Sequence, residues 1–219
     1  MNKRKIKFVF ITLLFLSSCS VFDSNRVAVG YMEAFRAIDL LIFGYDDYEI
    51  SRDLVNNIPY ASSLIKIGKG PKGLIILESI EENKETWVSA DGLYLIIENG
   101  RIVETRGFAN NLIEYISQSE LALTNESSQD TFSYYSYDKP RLNNLRVGSK
   151  ITHRKNQEIK ILEQTKRLTL IEEELNNDYL GWKVTNRFWL DEENFVWKSE
   201  QYLSPKLPKI IIEVTKKPS

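Results

Sequence analysis

Two predicted hairpin turns constrain this chain more than any other feature of its sequence. Asp91-Gly92 and Asn99-Gly100 each separate short segments rich in Ile, Leu, Val and aromatic residues. Asn, Asp and Gly accept the positive φ angles that two-residue type I′ turns require, so both dipeptides favour tight hairpins. Residues 62–106 are therefore predicted to form a β-meander, with strands at 62–67, 73–80, 85–90 and 93–98.

The rest of the chain continues the strand pattern. Residues 110–119 predict a short helix capped by Asn110 or Asn111, and the polar residues 120–130 predict a loop. Residues 167–174 fit a strand or a helix. Short connections between successive strands favour antiparallel pairing. The further predicted strands are 131–138, 148–154, 158–164, 167–174, 182–190, 195–203 and 209–215.

One amphipathic helix is predicted before the strands. Apolar side chains recur at helical spacing through residues 30–43, and Gly44 ends the pattern. The predicted fold class is mainly β: an antiparallel meander of about ten strands curled into a barrel, half-barrel or sandwich, with this N-terminal helix.

The first residues have the pattern of an export signal. An apolar run at 8–16 follows four basic residues and is shorter than the roughly 20 residues that span a bilayer. Ser17 and Ser18 are small residues that suit cleavage before Cys19. We expect a lipoprotein signal peptide at 1–18, a lipidated tether at 19–30 and a single β-rich domain at 31–219.

Cys19 is the only cysteine of the chain. Leu16-Ser17-Ser18-Cys19 resembles the bacterial lipobox, whose cysteine receives a diacylglyceryl group and, after cleavage, an N-terminal acyl chain. This resemblance predicts lipidation of Cys19; an ordinary cysteine after an ordinary signal is the alternative. Ser20 stands where an Asp would retain enterobacterial lipoproteins in the inner membrane. We therefore expect a lipid-anchored protein of the outer membrane, on its periplasmic face.

Charge and composition exclude several kinds of function. The 30 acidic residues outnumber the 29 basic ones, four of which lie in the predicted signal, so the mature chain is mildly acidic and unsuited to nucleic acid. His153 is the only histidine, and no Gly-x-Ser-x-Gly motif occurs. We predict no metal, no cofactor and no enzymatic activity.

Two weaker patterns suggest a functional surface. Glycoside cleavage needs two facing carboxyl groups, and Asp91 and Asp191 are the candidates, although a hairpin turn for Asp91 and a strand end for Asp191 are the stronger interpretation. Alternation along the strand places Arg187, Trp189 and Asp191 on one face. An exposed Trp would stack on sugar rings, whereas a buried Trp would belong to the core. The candidate glycan or partner patch is Trp87, Asp91, Arg187, Trp189 and Asp191.

A series of short motifs occurs in one order along the chain. Together they resemble the YjbF/GfcB (YmcC-like) family of group 4 capsule polysaccharide lipoproteins, from the lipobox to Pro218. The motifs are Pro59-Tyr60-Ala61-Ser62, Gly68-Lys69-Gly70-Pro71, Trp87-Val88-Ser89-Ala90-Asp91-Gly92, Asn99-Gly100-Arg101, Thr105-Arg106-Gly107, Asn186-Arg187-Phe188-Trp189-Leu190-Asp191 and Phe195-Val196-Trp197-Lys198-Ser199-Glu200-Gln201.

The resemblance implies a mainly antiparallel β fold and a role in making or exporting capsule or other exopolysaccharide. It implies a polysaccharide export channel and other capsule proteins as partners, and it supplies no catalytic residues. We therefore expect a non-enzymatic accessory protein that contacts these partners or the polysaccharide. The alternatives are a carrier of lipid or another apolar ligand, and a glycan-processing enzyme with paired carboxylates.

Overall fold

The computed structural model describes residues 50–117 and 131–218, without the side chains of residues 152–154. The first described element is helix α1 (Arg52–Asn57), whose N-cap Ser51 accepts a hydrogen bond from the Leu54 amide at 3.3 Å. No helix in these ranges has the length and apolar character needed to cross a membrane. The predicted signal peptide, tether, 30–43 helix and 120–130 loop lie outside the described residues.

Twelve strands follow in the described residues, all in one antiparallel sheet. The strand order is β5-β4-β3-β2-β1-β12-β11-β10-β9-β8-β7-β6. The strands are β1 (Ser62–Ile67), β2 (Lys72–Glu81), β3 (Lys84–Ser89), β4 (Tyr94–Glu98), β5 (Arg101–Arg106), β6 (Leu112–Ser117), β7 (Thr131–Asp138), β8 (Arg141–Ile161), β9 (Gln164–Asn177), β10 (Trp182–Leu190), β11 (Val196–Gln201) and β12 (Ile210–Lys216).

The antiparallel β fold class is confirmed, but two local predictions are wrong. Within the predicted helix at 110–119, residues 112–117 form strand β6 instead, because Leu112 is fully buried and pairs with Tyr137 of β7. Asn111 does not cap a helix; its amide and side chain both donate to Asp138 at 2.7 Å, which fixes the start of β6. The predicted strand 148–154 and residues 158–161 of the predicted strand 158–164 belong to the single strand β8, whereas residues 162–163 form the β8–β9 turn and Gln164 begins β9.

The sheet curls until its two edge strands, β5 and β6, approach each other, so that it forms a nearly closed barrel. The Leu112 amide donates to Thr105 Oγ1 at 2.9 Å across this seam. The Gln201 side chain reaches the β5 edge from β11, where it accepts from the Ile102 amide at 3.0 Å and donates to the Gly100 carbonyl at 2.9 Å. Side chains thus satisfy edge groups that a further strand would otherwise pair with.

The interior of the barrel is the main hydrophobic core. Trp87 and Phe188 are the largest fully buried side chains, and aliphatic residues from most strands pack around them. Interior positions alternate with exterior ones along each strand, as the two-residue period of a strand requires. Core members include Ile65, Ile75, Trp87, Leu95, Ile102, Leu112, Tyr135, Val147, Leu175, Ile210 and Ile212.

The β4–β5 turn packs directly on β11, which gives a first prediction. Gly100 has a φ of +77°, and a Cβ atom there would lie 2.5 Å from the Val196 Cβ. We expect Gly100→Ala to lower the free energy of unfolding by about 2–3 kcal/mol, through backbone strain and overpacking together. The matched control is Gly92→Ala, where φ is +82° but no atom lies within 4 Å. Urea denaturation should show a clearly smaller loss for the control; equal losses would contradict the packing argument.

Candidate functional site

Trp87 and Asp91 of the predicted patch lie in different environments. Trp87 is 2% exposed in the barrel interior, and its Nε1 donates to Glu85 Oε2 at 2.9 Å. Asp91 is exposed in the β3–β4 turn and accepts a hydrogen bond from Ser89 Oγ. The Trp87 ring therefore offers no exposed face for a sugar on the protein surface.

The other three patch residues share the outer face of β10 and its end. Arg187 is paired with Glu172 at 2.7 Å and with Glu200 at 3.6 Å. Trp189 is only 5% exposed and donates to Gln157 at 2.9 Å, so its ring is part of the outer packing.

Asp191 shapes the β10–β11 turn. Its Oδ1 accepts from the Glu193 and Phe195 amides, both at 2.9 Å, and its Oδ2 accepts from Trp197 Nε1 at 2.8 Å. Successive antiparallel turns lie at opposite ends of a sheet, and the strand order places Asp91 at the end opposite Asp191. These two carboxylates do not face each other across one cleft, and the five predicted residues do not assemble into one patch.

A buried ion pair that the sequence analysis missed joins two strands across the barrel interior. Both nitrogens at the end of the Arg101 guanidinium bind Glu173, with Nη1–Oε2 at 2.8 Å and Nη2–Oε1 at 3.0 Å. The two side chains are 6% and 4% exposed. Ser149 donates to Glu173 at 2.6 Å and Asn186 at 3.1 Å. This bidentate geometry, with two further hydrogen bonds to Glu173, offsets much of the cost of burying two charges, although the Arg101 Nε has no partner among the described residues.

Burial and pairing oppose each other in this ion pair. Burial alone would raise the pKa of Glu173, but the Arg101 charge and the hydrogen bonds from Arg101, Ser149 and Asn186 lower it below its usual value. Burial alone would lower the pKa of Arg101, but Glu173 raises it. The rings of Tyr115 and Phe188 flank the guanidinium, with centroids 5.3 and 5.1 Å from Cζ. Both groups are therefore charged at neutral pH, and each is the counter-ion of the other. The pair thus has a structural role.

One end of the barrel opens into a cavity of about 420 Å³, here called the mouth cavity. Its rim is formed by the turns at 82–83, 99–100 and 193–195. Its walls are interior side chains, both apolar (Trp87, Ile97, Val196, Ile212 and Val214) and polar (Ser63, Glu85 and Ser199). Pockets of this size hold small organic ligands. The mouth cavity is thus a candidate binding site.

Two polar groups of the mouth cavity are unusual. Ser63 is 1% exposed, and its Oγ has no hydrogen-bond partner among the residues that the structure describes. Glu85 lies on the same face of β3 as Trp87, half-buried at the cavity wall. Burial raises the pKa of the Glu85 carboxyl, and the hydrogen bond from Trp87 offsets only part of that rise. Both groups are able to bond a ligand that enters the mouth.

The raised pKa of Glu85 predicts a stability effect with a definite sign. A carboxyl whose pKa is higher in the folded state costs stability once the pH rises through that value. We expect Glu85→Gln to be more stable than the native chain at pH 7, by less than about 1 kcal/mol because solvent still reaches the carboxylate. The gain should shrink towards pH 4. Urea denaturation at both values measures this, with Glu81→Gln at an exposed position as the control; a gain that grows on acidification would contradict it.

The described residues place no group of three or more His, Cys, Asp or Glu side chains where they could hold a metal ion. His153 lies in β8, and its side chain falls outside the description. The groups that sequence reasoning missed are Arg101, Glu173, Ser63 and Glu85. Alternation did carry a signal for Glu173, since it stands two residues from Ile171 and Leu175 on the interior face of β9.

The chain is similar to known proteins in both sequence and structure. The uncharacterized lipoprotein YjbF of Escherichia coli K12 is 27% identical over 169 residues, covering 74% of this chain and 78% of the relative. The uncharacterized lipoprotein GfcB of the same strain is 27% identical over 115 residues, covering 52% and 50%. The crystal structure of the hypothetical lipoprotein YmcC from E. coli K12 has a TM-score of 0.70 at 20% identity, covering 78% of this chain and 90% of that one, so the two share a fold.

A family model extends the likeness over most of the sequence. The model described as "Group 4 capsule polysaccharide lipoprotein gfcB, YjbF" matches residues 35–215. This match contains every strand of the barrel, both halves of the buried ion pair and the walls of the mouth cavity. The chain belongs to the YjbF family of group 4 capsule polysaccharide lipoproteins.

Proposed function

We propose that this chain is an outer-membrane lipoprotein, anchored through Cys19 on the periplasmic face, that acts as a non-enzymatic accessory in capsule polysaccharide assembly or export. The observation that carries the proposal is the family match over residues 35–215, because that family is named for the group 4 capsule. Its partners would be a polysaccharide export channel, other capsule proteins and the polysaccharide itself. The barrel would be held beside the membrane by its lipid.

The carboxylate pair that the sequence suggested is not arranged for glycoside cleavage. Glycoside cleavage needs two carboxyl groups facing each other across the scissile bond. The buried carboxylate of Glu173 accepts two hydrogen bonds from Arg101, at 2.8 and 3.0 Å, and is therefore not available to a substrate. Asp91 and Asp191 lie at opposite ends of the sheet. The pair that the sequence suggested therefore cannot act on one bond.

The interior chemistry argues against a carrier of long apolar ligands. An acyl chain would need a continuous apolar channel, but Arg101 and Glu173 form a charged pair in the barrel interior. The mouth cavity also has polar groups among its walls, Ser63 and Glu85 included. Displacing a paired, buried charge by hydrocarbon would leave that charge without compensation, at high cost. The accessory role is therefore the better supported of the two.

Deletion of the gene in an encapsulated strain tests the proposal. We expect less polysaccharide on the cell surface, restored by the native gene on a plasmid, because an accessory of assembly or export is missing. The purified full-length chain should release no reducing ends from the same polysaccharide. The measurements are surface polysaccharide by immunoblot and reducing ends by colorimetric assay. Normal capsule in the deletion strain would refute the accessory role, and enzymatic release of reducing ends would refute the absence of catalysis.

A further inference from the structure

We propose that the mouth cavity binds a neutral sugar unit of the polysaccharide, with Ser63 and Glu85 bonding its hydroxyls inside the barrel. This inference rests on the proposed function and deepens it by assigning the polysaccharide a site. The site differs from the surface patch that the sequence suggested, because its groups point into the barrel. It shares only Trp87 with that patch, and it uses this residue as a wall.

The composition of the walls fits a sugar better than a purely apolar ligand. A sugar ring has apolar C–H surfaces and a rim of hydroxyl groups. The cavity offers aliphatic and aromatic surface from Trp87, Ile212 and Val214, beside the hydroxyls of Ser63 and Ser199. Ligand sites commonly combine such apolar walls with a few placed polar groups. A volume of about 420 Å³ gives room for a small saccharide rather than a long chain.

The unpaired Ser63 hydroxyl is the strongest single observation in favour of a ligand in the mouth cavity. A buried polar group without a partner costs stability, and such groups call for a specific explanation. Ser62, the adjacent residue on the opposite face, has a paired hydroxyl that lies 2.9 Å from Thr215 Oγ1. The strand thus satisfies one buried serine internally and leaves the other, at the cavity wall, without a partner among the described residues. A ligand hydroxyl would complete its bonding.

Charge at the mouth selects against anions. Glu82, Glu85 and Glu193 line the cavity, and the positive charge of Lys217 is engaged with Glu193 at 2.9 Å. An anionic ligand would meet this acidic rim at short range, where like charges repel. Glu85 keeps one oxygen bonded to Trp87, which leaves the other for a sugar hydroxyl. A neutral saccharide therefore suits the cavity better than a phosphate or a uronic acid.

Binding by the full-length chain in detergent tests the site. The probes are neutral oligosaccharides cut from the strain's own surface polysaccharide, with digalacturonate as the anionic comparison. Labelling the four tryptophans with ¹⁵N gives one indole N–H signal each, and that of Trp87 reports on the cavity wall because its proton bonds Glu85. We expect the neutral probes to shift the Trp87 signal in a saturable manner and digalacturonate to leave it in place.

Two neighbouring serine variants separate binding from folding. Ser63→Ala should weaken binding about fivefold, the value of one hydrogen bond, without lowering the melting temperature, because it removes an unpaired group. Ser62→Ala should lower the melting temperature by breaking the bond to Thr215 and leave affinity unchanged. Equal affinity of the native chain and Ser63→Ala, or no shift with any neutral probe, would overturn the inference. If sugar binding fails but the deletion strain loses surface polysaccharide, the accessory role stands without this site. If sugar binding is observed but the deletion strain has normal capsule, only the accessory role is refuted.

Discussion

Replacing Glu173 with glutamine is expected to lower the free energy of unfolding at pH 7 by about 3–5 kcal/mol, because it leaves the Arg101 charge buried without a counter-charge. The carboxylate is 4% exposed and receives two bonds from the guanidinium, at 2.8 and 3.0 Å. Such a loss is a large part of the stability of an ordinary domain. Urea denaturation of the purified chain, monitored by tryptophan fluorescence, measures it.

The pH dependence of this loss has a predicted sign. The pKa of Glu173 is lowered in the folded state, so its contribution to stability is present above its ordinary value of about 4.3 and is lost as the pH falls through the folded value. The difference between the native chain and Glu173→Gln should therefore be greatest near neutral pH and should shrink below about pH 4. A constant difference from pH 7 to pH 3 would contradict a charged pair.

A double variant provides the control for the ion pair. Replacing Arg101 with Met and Glu173 with Leu removes both charges while keeping much of the volume, and apolar replacement of a buried pair is often nearly neutral. We expect the double variant to regain a large part of the stability that either single replacement loses. If the free energy of unfolding falls in the double variant by the sum of the losses in the two single variants, Arg101 and Glu173 do not stabilise the barrel through their mutual interaction.

Replacing Cys19 with serine should release the chain from the envelope. The substitution would remove the proposed site of the diacylglyceryl group. A single fatty chain binds a membrane only marginally, at about 0.8 kcal/mol per buried CH₂, so loss of the diacylglyceryl group should abolish anchoring. We expect Cys19→Ser to leave the membrane fraction and to fail to restore surface polysaccharide in the deletion strain. The measurement is an immunoblot of fractionated cells together with one of surface polysaccharide.

Ser20→Asp is the matched control, because it leaves Cys19 in place and changes only the residue that we expect to determine whether the lipoprotein goes to the inner or the outer membrane. We expect this variant to stay in the membranes and to move from the outer to the inner one on a density gradient. A Cys19→Ser chain that still sediments with the envelope would refute anchoring by lipid. Retention of Ser20→Asp in the outer membrane would refute sorting through position 20.

The meander at 62–106 could be predicted from the sequence because its information is local. Asp91-Gly92 and Asn99-Gly100 set the hairpins that join β3 to β4 and β4 to β5, with β5 completing the run. The segment at 110–119 was misread as a helix because burial of Leu112 against β7 depends on the tertiary fold and outweighs local propensity.

The candidate site could not be predicted in the same way. Arg101 and Glu173 are 72 residues apart, and their contact depends on how the whole sheet curls. From sequence alone, Trp87 and Trp189 fit an exposed sugar-binding surface as well as a core. In the structure Trp87 packs in the barrel interior, and Trp189 packs against Leu168 and Leu170 in a separate cluster. Ser63 belongs to none of the sequence motifs. Only the three-dimensional structure shows that its hydroxyl has no hydrogen-bond partner among the described residues.

The proposed role at the envelope requires acyl chains on Cys19, which we expect to be the mature N-terminus. Mass spectrometry of the chain isolated from membranes should find the N-terminal peptide beginning at position 19, with its mass increased by a diacylglyceryl thioether and an amide-linked fatty acid. A mature N-terminus elsewhere, or a free thiol at that position, would show that the barrel is not held to the membrane as proposed.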